Sequence, residues 1–62
     1  MCEFRVFLDG EEVFEDIVHV RSHGSKVVLR NILGESREVS DCRVVEVDVP
    51  SERLILSRII EG

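Results

Sequence analysis

An all-β fold follows from three features of the sequence. Of its 27 apolar residues eleven are Val and five are Ile, while Ala is absent. Branching at Cβ stiffens χ1 and suits a pleated surface better than a helix, and the strongest helix former is missing. Apolar and polar residues alternate with period two along most of the length, and turn residues recur between the alternating runs with no helical period to compete.

The first strand places Cys2, Phe4, Val6 and Leu8 on one face, with Glu3 and Arg5 on the other. Asp9-Gly10 supplies a turn whose residues tolerate positive φ. A short strand over Glu12 to Asp16 carries Val13 and Phe14. A further strand from Ile17 to Arg21 is expected to turn Val18 and Val20 inward against Ile17, His19 and Arg21. Ser22 to Ser25 forms a four-residue hairpin connection, and the return strand from Lys26 to Asn31 buries Val27 and Leu29. Gly34 breaks the chain after Ile32-Leu33, and Ser36 to Val39 makes a brief edge strand. Ser40-Asp41 then leads into Cys42 to Val49, with Val45, Val47 and Val49 on one face. Pro50 to Glu52 turns the chain into a last strand from Arg53 to Ile60. Its two faces are both apolar, Leu54, Leu56 and Ile60 against Ile55 and Ile59. These elements predict one domain over residues 1–62, a small SH3-like or Sm-like barrel of six or seven short antiparallel strands.

Sixty-two residues bury only about 60% of the unfolded surface, which leaves a marginal core and little room for a deep cleft. Phe7, Val28 and Val44 depart from the core parity. With Ile55 and Ile59 they suggest an outer apolar patch that a homodimer would cover. No apolar run reaches membrane-spanning length, and Met1-Cys2-Glu3 does not begin an export signal, so a cytoplasmic protein is expected. Two cysteines are too few for the disulfide framework of a small secreted domain, and reduced thiols follow. A net charge of −5 argues against affinity for phosphates.

The usual catalytic constellations are missing: there is no Gly-rich phosphate loop, no Ser elbow and no CxxC, so the chain reads as a non-enzyme. Cys2 stands out because its sulfur and its own nitrogen can close a five-membered chelate ring on one metal ion. That nitrogen is an α-amine if Met1 is removed. If Met1 stays, the Cys2 amide and the Met1 amine contribute instead. Thiolate and nitrogen donors in a plane suit Ni(II) or Cu(II) better than Mg(II) or Ca(II). One N,S pair half fills a four-coordinate site, and a two-fold axis close to Cys2 completes it with one metal per dimer. The alternative is that Cys2 simply packs as a small hydrophobe in register with Phe4 and Val6. Cys42 reads as a buried or half-buried thiol, His19 as an outward-facing strand residue and His23 as part of a hairpin tip. Arg5, Arg21 and Arg30 offer the one route to a nucleic-acid surface, aligned on neighbouring strands, although only three Phe and no Tyr or Trp are available to stack on bases.

Several stretches resemble the CooT family: Met1-Cys2 opening a strand, Asp9-Gly10, Val13, Ile32-Leu33-Gly34-Glu35, Val45-Glu46-Val47-Asp48-Val49 and Leu54-Ile55-Leu56. Its members are small nickel-binding accessory proteins associated with maturation of carbon monoxide dehydrogenase, and the family has also been labelled as predicted RNA-binding. The resemblance implies a homodimer of small β-barrels in which Cys2 of each chain binds a single Ni(II) near the two-fold axis. The protein would act as a metallochaperone or metal buffer, with a nickel enzyme such as carbon monoxide dehydrogenase as partner and Cu(II) or Zn(II) as competing ions in vitro. The alternatives are an RNA-binding β-barrel and a protein-interaction module in which the Cys2 thiol is incidental.

Overall fold

Asp9 and Gly10 both take positive φ, 53° and 83°, the pair of left-handed conformations that matches the twist of a two-residue hairpin. They join β1 (Phe4–Leu8) to β2 (Glu11–His23) in a computed structural model that describes residues 3–59. The chain continues through β3 (Lys26–Asn31), β4 (Ser36–Ser40), β5 (Cys42–Asp48) and β6 (Arg53–Arg58). All six strands belong to one sheet, in the order β4-β3-β2-β1-β6-β5. The all-β expectation holds, with two differences. First, β1 and β6 run parallel, Val6 opposite Leu54 and Leu8 opposite Leu56, while the other pairs are antiparallel. Second, edge strands β4 and β5 form no ladder with each other, so the sheet curls like a barrel without closing.

The two strands expected over Glu12–Asp16 and Ile17–Arg21 are one long bent strand. Its bend coincides with register shifts against β1 and with Asp16 at φ 58°. Such irregularities insert an unpaired residue and sharpen the local twist. A further shift between Ile17 and His19 makes Val18 the extra residue against β3. Parity therefore reverses: Ile17 is buried, whereas Val18 is 42% exposed. Val20 keeps the face of its partner Leu29, as expected, but looks onto an open part of that face.

The same effect corrects β5. The ladder slips between Val44 and Glu46, so Val44 faces Leu56 and Val47 faces Leu54, both on the core side, while Val45 is the extra residue. Val45, Val47 and Val49 thus do not share one buried face, and all three are exposed. The expected outer patch is formed only in part. Val44 packs against the core, and Val28 lies between Arg21 and Glu38 on the outer face of β3. Phe7 sits beside Ile55 on the outer face of β1 and β6.

Elsewhere the alternation holds. Val6, Leu8, Val27, Leu29, Leu54 and Leu56 are buried as expected, joined by Ile17 and Cys42. Each aliphatic side chain fully removed from water contributes about 1.5–3 kcal/mol. The β2–β3 connection is tighter than expected. His23 pairs with Lys26, leaving Gly24 and Ser25 as the turn, and Gly24 takes φ 60°. Ile60 lies outside the described residues.

The two sheet edges meet at one end only. Asp41, at φ 57°, is the single residue between β4 and β5. Here the Cys42 amide donates to the Ser25 carbonyl at 3.1 Å, and the Ile59 amide to the Asp41 carbonyl at 2.8 Å. The ladders give β4 and β5 the same sense, so this left-handed residue kinks the chain from one edge of the sheet to the other without reversing it. Away from this end the edge strands β4 and β5 stay unpaired.

Candidate functional site

Cys2, the residue singled out for metal binding, lies outside the described residues. The chain that follows it is well anchored. The Glu3 amide donates to Glu52 Oε2 at 3.0 Å, and the Arg5 amide donates to the Glu52 carbonyl at 2.9 Å. Glu52 occupies a positive-φ position (56°) in the turn before β6, so both its backbone and its carboxylate hold the start of β1.

Beside that start lies an apolar groove of about 230 Å³, lined by Phe4, Ile17, Val18, Val20, Val44, Val47 and Leu54. Its walls come from β1, β2, β5 and β6. The slips in β2 and β5 bring Val18, Val20 and Val47 to its walls, where all three remain more than a third exposed.

Cys42 is fully buried. Its Sγ donates to the Val39 carbonyl at 3.5 Å, and burial pushes the thiol above its ordinary pKa, opposed by Arg58 and aided by Asp41. A thiol that resists ionisation and faces no solvent is a packing residue, since the thiolate is both ligand and nucleophile. His19 shares the outer face of β2 and β3 with Arg30, and His23 is exposed at the end of β2. Four residues apart on an extended strand, the two histidines do not converge. Among the described residues no group of three or more His, Cys, Asp and Glu side chains is placed to hold a metal ion.

The expected alignment of Arg5, Arg21 and Arg30 is only partly formed. Arg21 and Arg30 lie on the outer face of β2 and β3, but Arg5 is in register with Arg53 of β6. Their guanidinium carbons stand 5.9 and 5.6 Å from the Phe7 ring centre. Phe14 carries Arg37 at 4.6 Å, and Phe4 packs on the core, so every aromatic ring is already engaged.

Sequence reasoning missed Asn31, only 7% exposed at the end of β3. Its Oδ1 accepts from the amides of Leu33 and Glu35, and its Nδ2 donates to Glu35 Oε1. The signal was an Asn three residues before Gly34, where a side chain can organise the turn in place of a ladder.

Fold, anchored first strand and apolar groove define a small all-β module. The chain matches the family model for CooT, described as CO dehydrogenase accessory protein CooT, over residues 1–57. It belongs to the CooT family of CO dehydrogenase accessory proteins. No curated protein matches the chain. Among the described residues no helix is long and apolar enough to cross a membrane.

Proposed function

We propose that this protein is a cytoplasmic nickel carrier or buffer, a homodimer holding one Ni(II) between the Cys2 residues of its two chains and serving a nickel enzyme such as carbon monoxide dehydrogenase. The family match carries the reading, because it spans position 2 and names an accessory of a nickel enzyme. Nickel is here cargo, taken up and released. Cys2 supplies thiolate and nitrogen from a single residue, a donor set that suits Ni(II).

Two structural observations support it. Cys42, the other thiol, is sealed in the core and leaves metal chemistry to Cys2. The apolar groove is lined by Phe4, two residues along the chain from Cys2, and a second copy seated there would cover Val18, Val20 and Val47.

Titration of Ni(II) into wild type and Cys2→Ser, with molar mass measured by light scattering, tests both parts. One ion per dimer is expected for wild type and none for the variant. Retained binding by Cys2→Ser, or a monomer that binds nickel as well as the dimer does, overturns the proposal.

RNA binding is a second reading, favoured by one observation: the outer face of β2, β3 and β4 gathers Arg21, Lys26 and Arg30 beside Glu38. It lacks a bare aromatic ring on which bases could stack. Salt-sensitive retention of single-stranded RNA, lost in Arg21→Glu/Arg30→Glu, would favour it over nickel.

A further inference from the structure

The turn between β3 and β4 is held more firmly than a surface connection needs. Every amide from Asn31 to Glu35 donates within the protein. Asn31 donates to the Glu35 carbonyl at 3.0 Å, Ile32 to the Asp16 carbonyl at 3.0 Å and Gly34 to the Asn31 carbonyl at 3.0 Å. Leu33 and Glu35 donate to Asn31 Oδ1 at 3.0 and 2.9 Å. Gly34 takes φ 85°, and the Asp16 bulge is used as an anchor.

What this rigid turn displays is apolar. Ile32 is 47% exposed and Leu33 is 78% exposed, the highest value among the large hydrophobic residues described. A turn whose backbone is satisfied internally has no need of aliphatic side chains in water. Holding them there in one geometry lowers the ordering cost of binding. Leu33 also lines a cleft of about 400 Å³ together with Val13, Phe14 and the carboxylates of Glu12, Glu15, Asp16 and Glu35. Two bases stand at this surface: Arg5 Nη1 lies 3.8 Å from Glu12 Oε1, and Arg37, over Phe14, is committed to the Val13 carbonyl at 2.9 Å, against four carboxylates. The surface therefore combines a fixed aliphatic crest with an excess of negative charge.

We propose that the Ile32–Leu33 crest and its acidic cleft are the docking surface for the client enzyme, and that they engage an apolar patch of that enzyme bordered by Lys and Arg. This rests on the accessory role proposed above and adds the face through which it is exercised. The aliphatic crest supplies affinity by leaving water, and the carboxylates supply orientation and speed of encounter. The crest is separate from the apolar groove, with which it shares no lining residue, so a protein dimerised through the groove can still use it.

The test is direct binding of the purified full-length protein to purified carbon monoxide dehydrogenase by interferometry, with nickel-loaded and nickel-free samples. Ile32→Ser/Leu33→Ser should weaken binding by roughly tenfold or more. Arg21→Ser/Arg30→Ser, on the outer face of β2 and β3, should leave it unchanged. Binding should weaken as salt is raised, and Glu12→Gln/Glu15→Gln should flatten that dependence. A benzophenone amino acid at position 33 should crosslink to the enzyme next to Lys or Arg, whereas one at position 28 should not. If wild type binds and the Ile32→Ser/Leu33→Ser variant binds equally, the docking surface is overturned and the accessory role stands. If wild type does not bind in either nickel state, the client itself is wrong and the docking assignment falls with it.

Discussion

The side-chain amide of Asn31 donates to Glu35 Oε1 at 2.8 Å while its carbonyl oxygen accepts from the Glu35 amide at 2.9 Å, so one buried residue holds both ends of another. Asn31→Ala removes the acceptor of two amides in one step. A loss of about 1–3 kcal/mol is expected, the cost of leaving polar groups unpaired in a half-buried site. Urea unfolding should show a lower midpoint at unchanged slope. An unaltered midpoint would mean that water replaces the side chain without cost.

Stability should fall at alkaline pH because of Cys42. Burial raises its thiol pKa above the ordinary value of 9.0, so the folded protein keeps a proton that the unfolded chain gives up. The contribution is complete below pH 9.0 and is lost as pH rises through the folded-state value. With no Tyr and a single Lys in the chain, few other groups titrate in that window. Cys42→Val should lose less stability between pH 8 and 10 than wild type, as read from urea midpoints, and equal losses would count against the assignment.

Asp16 and Asp41 occupy left-handed backbone at φ 58° and 57°. Replacing either with Gly should hold or raise the melting temperature, since Gly meets no Cβ penalty there. Asp16→Val should cost about 1–2 kcal/mol because a β-branched residue is strained in that region. A neutral Asp16→Val would indicate that the bulge relaxes into another register.

Arg37 lays its guanidinium over Phe14 at 4.6 Å and donates to the Val13 carbonyl at 2.9 Å. Arg37→Lys keeps the charge but loses the planar fork, and a loss of about 0.5–1 kcal/mol is expected. Arg37→Met should show whether the alkyl stem alone covers the ring: equal stability of Arg37→Met and wild type would remove the guanidinium from the account.

Much of this architecture was legible in the residues. The Asp9-Gly10 turn, the buried faces of β1, β3 and β6, and the brief strand near Ser36 all follow from alternation and turn chemistry, which are local properties. Cys42 was read as a packing thiol and is one. Asn31 was not read as buried, because although its side chain bonds locally to Leu33 and Glu35, its place in the sheet comes from pairing with Ile17, fourteen residues earlier in the chain. The alignment of Arg5 with Arg53 was equally hidden, since it requires the first and last strands to run side by side.

By itself the sequence determined the strand content, the turns, the family and the residue on which the nickel proposal stands. Only the tertiary structure decided which valines in β2 and β5 reach the interior, because with a period of two a single bulged residue reverses every face beyond it. It alone decided that the curled sheet stays open between its edge strands, β4 and β5. Closure depends on whether the two edges come within hydrogen-bonding distance, and Asp41 joins them at one end only.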